Sequence, residues 1–203
     1  MVDPRVPDDV DEGTADAGER GGERTGDGAD PADIGSRTLA LPCGERLDAV
    51  TGVDMGQREF SCACGDTHAV VMDVHPPSRF VPEDVVAVLR EAVDVADDEG
   101  DFGTRHVMGM VLEEFPEEVA SADVAEEGAA GYAAVWVTEM DARTLHEVVV
   151  ELLVELMDHA VSHAEDEAVE SEFEEQLAEF DVEAFVERYR AARDLEDEHD
   201  SVV

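Results

Sequence analysis

The stretch FSCACGDTHAVVMDVHPPSRF, residues 60–80, combines cysteines, histidines and aspartates that could form a metal site or an active site. Its first part carries two cysteines, Cys62 and Cys64, directly before HAVVMDVH, residues 68–75. Period-2 alternation and β-branched residues in HAVVMDVH predict a strand. Pro76 and Pro77 then stiffen the turn that follows. The stretch therefore predicts a strand with a cysteine-bearing turn before it and a proline-stiffened turn after it.

Similar patterns on both sides of this stretch predict further strands. TLALP at 38–42 and REFSC at 58–62 precede it with the same alternation. RHVMGMVLEEF at 105–115 and GYAAVWVT at 131–138 follow it and are rich in β-branched or aromatic residues. The segment between these last two begins PEEV, residues 116–119, and is expected to hold one helical turn.

Helical spacing of apolar residues appears in three places. A helix starts at Pro82 and runs toward Gly100, and a longer one is capped by Asp141 and continues to about Ala164. Residues 167–193 continue helically. The order of elements predicts an α+β fold, with a mostly antiparallel sheet and helices packed on one face.

Composition divides the chain into three parts. Residues 1–36 contain almost no large apolar side chain, so we expect a disordered acidic tail. Residues 37–193 form the single α+β domain, and residues 194–203 a second disordered acidic tail.

The charge is extreme: 54 acidic residues face 13 basic ones, and every basic residue is Arg. A net charge of -41 would destabilise the folded chain through repulsion between its carboxylates. Concentrated salt relieves this repulsion, because the Debye length falls to about 3 Å at 1 M. We therefore expect a halophilic protein, in which the acidic composition reflects a salt-rich environment and does not indicate a binding partner. The arginines are scattered singly, so we do not expect a nucleic-acid partner.

Three cysteines in a chain whose start resembles no signal peptide favour reduced thiols over a disulfide framework. No apolar run approaches the length of a membrane span. We therefore expect a cytoplasmic protein that does not enter a membrane.

The cysteines also suggest a metal site. Cys43 and Cys64 are each followed by glycine, which suits a ligand-bearing turn because glycine tolerates positive φ. Cys62, Cys64 and His68 cluster by spacing, and Cys43 would join them if the first strand pairs beside the second. This predicts a closed, structural Cys3His zinc site on a small zinc-ribbon-like turn pair. The alternative is that these cysteines are small core residues and His68 their hydrogen-bonded neighbour.

A second candidate site for ligand binding comprises Asp73, His75 and Arg79. Alternation places Asp73 and His75 on one strand face, where the carboxylate could orient the imidazole, and Arg79 could hold an anion. The alternative is a strand end, with Arg79 paired to Glu83 or Asp84 at the helix start.

Other histidines and aromatics favour structural roles. His159 and His163 have a spacing that can chelate a metal from one helix face, but no HExxH motif surrounds them. We interpret them, and His146, as packed or edge residues. Tyr132 and Trp136 would share one strand face packed against a helix, or alternatively face a dimer partner.

With these residues identified, the chain resembles a family of haloarchaeal proteins of unknown function over residues 38–193. The resemblance rests on LPCG at 41–44, CGDTHAVVMDVHPPSRF at 64–80, VLEEFPE at 111–117 and LHEVVVELLVELMDHAVSHA at 145–164. It implies no activity, cofactor or catalytic residue.

Two functional hypotheses remain. The first is a zinc-stabilised binding module without catalysis, whose partner is another macromolecule or a second copy of the chain. The second is a metal-assisted hydrolase that uses Asp73, His75 and Arg79 with a carboxylate such as Glu113 or Glu114.

Overall fold

The computed structural model of the chain describes residues 38–93, 101–125, 131–161 and 179–193. The strands in these ranges are β1 (Thr38–Ala40), β2 (Arg46–Asp48), β3 (Glu59–Ser61), β4 (Thr67–Met72), β5 (Val119–Asp123) and β6 (Ala134–Thr138). The helices are α1 (Glu83–Ala92), α2 (Thr104–Glu114), α3 (Ala142–Val161) and α4 (Val182–Ala192), and Pro77–Arg79 forms a short 3-10 helix.

Four strands form one antiparallel sheet in the order β3-β4-β6-β5. The central strand β4 pairs with β3 through Phe60 and His68, and with β6 through Val71 and Trp136. β5 pairs along the other side of β6 and closes that edge. The first two strands form a separate antiparallel hairpin, β1-β2.

Alternation along β4 sends side chains to two different cores. Ala69 and Val71 pack with the apolar sides of the four helices. Val70 and Met72 pack on the opposite face, against residues of the β1-β2 hairpin. The predicted α+β class with helices on one face of an antiparallel sheet is therefore confirmed.

The second face of the sheet is covered by the β1-β2 hairpin and the loop after it. Leu39 and Leu41 from the hairpin are buried against this face. Tyr132 lies on the same side, where its hydroxyl donates to the carbonyl of Ala49 at 2.5 Å. The prediction that Tyr132 and Trp136 share a face was wrong, because Trp136 packs on the helical side.

The predicted strand at 105–115 is also wrong, because these residues form most of helix α2. Val107, Met108 and Val111 are fully buried, and their spacing is that of one helix face. The segment after it, expected to hold a helical turn, instead contains the edge strand β5. The starts of α1 and α3 agree with the prediction, and Asp141 accepts a capping hydrogen bond from the Thr144 N–H at 2.7 Å.

Some predictions lie outside the described residues: the two tails, the continuation of α1 to Gly100, the helical continuation through 167–178, and His163. Within the described ranges, no helix is both long enough and apolar enough to cross a membrane.

The helical assignment of α2 predicts a specific order of stabilities at Gly109. This glycine is exposed in the helix interior, and an added Cβ would meet nothing within 4 Å. Gly109→Ala should raise the free energy of unfolding by about 0.5–1 kcal/mol. Gly109→Val should gain less, since β-branched residues are poorer helix formers. Urea unfolding of both variants tests this, and a more stable Val variant would indicate a strand.

Candidate metal centre

The first cysteine lies at the tip of the β1-β2 hairpin. The turn is closed by hydrogen bonds from the Leu41 N–H to the Glu45 carbonyl at 2.8 Å and from the Gly44 N–H to the Leu41 carbonyl at 2.9 Å. Gly44 has a φ of 88°, a left-handed conformation that a residue with a Cβ rarely adopts. The glycine after Cys43 thus permits the tight turn that holds the thiol at the tip.

The second and third cysteines lie in the turn between β3 and β4. The Cys62 N–H donates to the Asp66 carbonyl at 2.8 Å, and the Gly65 N–H donates to the Cys62 carbonyl at 3.1 Å. Gly65 has a φ of 104°. The Asp66 N–H points back at the Cys64 sulfur, 3.4 Å away. This amide is placed to stabilise a thiolate at Cys64.

His68 approaches the cysteines from strand β4. Its side chain is buried, and Nδ1 lies 2.8 Å from the carbonyl oxygen of Thr138, so Nδ1 carries the proton and donates. Nε2 is then the unprotonated nitrogen, and it lies 3.4 Å from the Cys64 sulfur. A histidine oriented by a carbonyl through one nitrogen, with the other turned to a cluster of thiols, has the arrangement typical of a metal ligand.

The four predicted residues come together in space. The sulfurs of Cys43, Cys62 and Cys64 and a ring nitrogen of His68 all lie within 4.8 Å of one another. Bond lengths to zinc of about 2.3 Å for sulfur and 2.0–2.1 Å for nitrogen imply tetrahedral edges of about 3.8 Å and 3.6 Å. The measured distances are 3.9 Å between the Cys43 and Cys62 sulfurs and 3.4 Å between Cys64 and His68. Two of the six ligand separations therefore match the edges of a tetrahedral Cys3His site, and none of the six exceeds 4.8 Å.

The sulfur separations also show whether the thiols are joined as a disulfide. A separation of 3.9 Å is far longer than a disulfide of about 2.05 Å, and all three cysteines are free. The Asp66 amide acts to lower the pKa of the Cys64 thiol, but desolvation and the neighbouring Cys62 thiol outweigh it and leave the pKa above its ordinary value. A divalent cation is the species that would offset this crowding of sulfurs.

Four protein ligands would complete a tetrahedron and leave no open position for a water or a substrate. Such closed sites are structural, whereas catalytic zinc retains an exchangeable ligand. The cluster can therefore hold two hairpin tips together, but its ligand set offers no position for metal-assisted hydrolysis.

Residues 39–193 match the profile of a family described as a family of unknown function, DUF5815. The chain belongs to this family. The matched range contains all four residues of the Cys3His cluster, and it agrees with the predicted resemblance to a family of unknown function over 38–193. Comparison with curated proteins and with solved structures found no match. The haloarchaeal origin stays a prediction.

In this DUF5815 domain, the predicted partnership between Asp73 and His75 does not form. One carboxylate oxygen of Asp73 accepts from Arg105 at 2.7 Å, and the other accepts from the Ala133 N–H at 3.0 Å. Burial acts to raise the pKa of Asp73, but Arg105 and the amide outweigh it and hold the pKa below its usual range. Asp73 thus joins α2 to the start of β6 and does not orient His75.

His75 instead forms a clasp with Arg79. Its Nδ1 accepts from Arg79 Nη1 at 2.6 Å, and its Nε2 donates to the Met55 carbonyl at 2.5 Å. Burial and the Arg79 charge lower the pKa of His75. Because both ring nitrogens are engaged and the ring stays neutral, this geometry does not favour a general base. Arg79 does not pair with Glu83, which bonds Arg90 at 3.3 Å.

The remaining candidates have structural surroundings. His146 is buried, as predicted, and its Nε2 donates to the Phe80 carbonyl at 2.6 Å. His159 is exposed on α3. Glu113 and Glu114 lie in the last turn of α2, not on a strand beside His75. Sequence reasoning missed Arg58 and Arg193, which line a cavity beside Arg79. No short-range pattern connects three arginines so far apart in the chain.

Proposed function

We propose that this DUF5815 protein is a zinc-stabilised binding module without catalysis, acting in the cytoplasm of a cell with a concentrated salt interior. The observation that carries the proposal is the Cys3His cluster, whose four ligand atoms lie within 4.8 Å of one another. The soft thiolate set and tetrahedral dimensions favour zinc over harder cations such as magnesium or calcium.

The metal would tie the hairpin that covers one sheet face to the sheet itself. Cys43 belongs to the β1-β2 tip, whereas Cys62 and Cys64 belong to the β3-β4 turn and His68 to β4. The β1-β2 hairpin has only three residues in each strand and forms its own two-stranded sheet. A hairpin this short is marginal by itself, so a metal that fixes its tip would stabilise the cover over Val70 and Met72.

A binding role is supported by exposed apolar side chains on two neighbouring loops. Met55 is 53% exposed and Val74 is 49% exposed. Their loops are joined by the hydrogen bond from His75 to the Met55 carbonyl. Apolar side chains on a fixed pair of loops can contact a protein partner or a second copy of the chain. Within the described residues, Asp73 bonds Arg105 and His75 bonds Arg79 and the Met55 carbonyl, and these hydrogen bonds do not favour the hydrolase as a second candidate.

Elemental analysis tests the metal directly. We expect one zinc per chain in protein purified without chelator, and a loss of that zinc in Cys64→Ser. His159→Gln is the matched control, because it alters an exposed potential ligand and should keep the full zinc content. Elemental mass spectrometry of the purified protein measures the number of zinc and iron ions per chain. Metal-free wild-type protein that remains metal-free after incubation with zinc would refute the site, and stoichiometric iron would refute the choice of zinc.

A further inference from the structure

A small cavity of about 200 Å³ lies beside the HPPSRF loop. It is lined by three of the chain's 13 arginines, in a protein whose net charge is -41. The lining includes Arg58, Arg79 and Arg193, together with His75, Pro76 and Met55. In a chain so rich in carboxylates, three guanidinium groups around one cavity form an unusual concentration of positive charge.

Arg79 is the buried member of this group, with 8% of its surface exposed. Its hydrogen bonds go to His75 Nδ1 at 2.6 Å and to the Gln57 carbonyl at 3.2 Å. Both acceptors are neutral, so within the described ranges no carboxylate contacts this guanidinium. Burying a cation without an anion is costly, and such a group is normally paired.

The other arginines increase that cost. Burial, followed by the charges of Arg58 and Arg190, lowers the pKa of Arg79 to about 9. Burial and the charges of Arg190 and Arg193 likewise lower the pKa of Arg58 to about 10. Each guanidinium is thus close enough to repel the next. An anion between them would convert this repulsion into attraction.

The loop that carries Arg79 is held rigidly by bonds to its carbonyl oxygens. The Thr104 hydroxyl donates to the His75 carbonyl, and the Tyr189 hydroxyl donates to the Ser78 carbonyl at 2.6 Å. His146 donates to the Phe80 carbonyl. Side chains from α2, α3 and α4 therefore fix the loop from different directions. An arginine on such a loop is preorganised to receive a ligand.

We propose that this cavity binds the phosphate group of a small molecule, held by Arg79 with Arg58 and Arg193. The two recorded bonds of Arg79 use two of its five N–H donors, so others can meet phosphate oxygens. A phosphate carries up to two negative charges at neutral pH, which suits several guanidinium groups better than a single carboxylate. The cavity has room for roughly six waters at about 30 Å³ each, which admits a phosphate with a small substituent.

The cavity shares no residue with the Cys3His cluster, so phosphate binding does not depend on the metal site. A phosphate site at this cavity is a property beyond the proposed binding module, because it names the ligand chemistry and the residues that bind it. Because Arg79 is buried and Arg58 is half-buried, their attraction for phosphate is screened less by salt than that of an exposed ion pair.

The test is calorimetric titration of the full chain with inorganic phosphate, in concentrated KCl at constant ionic strength. Arg193→Gln changes an exposed residue at the end of α4, so it should fold and bind phosphate about tenfold more weakly. Arg79→Gln should abolish measurable binding. Arg188→Gln is the matched control, because Arg188 is exposed on the same helix and does not line the cavity. It should bind like the wild type.

Several outcomes would overturn the proposal: no phosphate binding by the wild type, equal binding by Arg193→Gln and the wild type, or acetate bound as tightly as phosphate. The acidic residues after Arg193 are a competing source of anions. Their role is tested by the combined variant Asp194→Asn, Glu196→Gln, Asp197→Asn and Glu198→Gln. Phosphate binding by this variant alone would assign the cavity to the chain's own carboxylates and refute a phosphate site in the natural protein.

Discussion

Removing the metal with a chelator is expected to lower the free energy of unfolding by about 3 kcal/mol or more. A metal bound to Cys43 and Cys62 cross-links positions 19 residues apart, and a covalent link that closes a loop of about 15 residues contributes about 3 kcal/mol. His68 adds to the loss, because without the metal its Nε2 has only the Cys64 sulfur, a weak hydrogen-bonding group, as a polar partner.

The measurement is urea unfolding in concentrated KCl, with and without chelator, because urea leaves the ionic strength unchanged. Wild-type protein should shift to a lower midpoint in chelator and recover when zinc is restored. Cys64→Ser should already unfold near the lower midpoint and show no further response. If the chelator leaves the wild-type midpoint unchanged although zinc is removed, the metal does not stabilise the fold and its structural role is wrong.

The Cys3His cluster was predictable because its information is local. Cys62, Cys64 and His68 share one hairpin, and the glycines after Cys43 and Cys64 indicate turns with positive φ, as found at Gly44 and Gly65. The route by which Cys43 reaches the others was not predictable. The sequence placed Cys43 in the cluster only on the condition that the first strand pairs beside the second predicted strand. The first strand pairs instead with Arg46–Asp48, a three-residue strand too short to give a periodic signal.

The error at α2 has a different cause. RHVMGMVLEEF contains several β-branched and bulky residues, and this composition favours a strand. Val107, Met108 and Val111 nevertheless repeat at the interval of a helix, and tertiary contacts with other helices decide the outcome. The neighbouring strand β5 has the sequence VASAD, whose small residues give little strand propensity. Pairing with β6 defines it, and such long-range pairing cannot be inferred from one segment.

The arginine cavity could not be predicted at all from sequence. Arg58 precedes β3, Arg79 lies in the 3-10 turn and Arg193 follows α4, so only the completed fold brings them to one place. Of this group, sequence reasoning identified Arg79 alone as a residue that could hold an anion. The structure gives a physical reason for anion binding by Arg79, because its buried guanidinium bonds two neutral acceptors.

The second large effect concerns His146, which should make the protein sensitive to mild acid. The ring is 1% exposed, packs edge-on against Phe80 and Tyr189, and donates from Nε2 to the Phe80 carbonyl. Burial lowers its pKa from 6.5 to about 4, and the charges of nearby arginines act in the same direction. The unfolded chain therefore binds a proton at this residue below pH 6.5, whereas the folded chain does not until about pH 4.

As the pH falls through this window, protonation favours the unfolded state and the contribution of neutral His146 to stability is lost. The loss from this one residue amounts to about 3 kcal/mol. His146→Gln removes the titrating ring, while its amide can still donate to the Phe80 carbonyl. The variant should be less stable than the wild type at pH 8, since it loses the contacts with two aromatic rings.

Urea unfolding at several pH values between 8 and 4 separates this effect from other acid-sensitive groups. His75, whose pKa is also lowered, and the thiolate ligands of the proposed metal titrate in both proteins. Their contributions therefore cancel when the two stability curves are subtracted. The difference should shrink as the pH falls, because the wild type loses about 3 kcal/mol that His146→Gln no longer has to lose. Parallel curves would mean that His146 has the same pKa in the folded protein as in the unfolded chain, and would contradict the lowering of its pKa by burial.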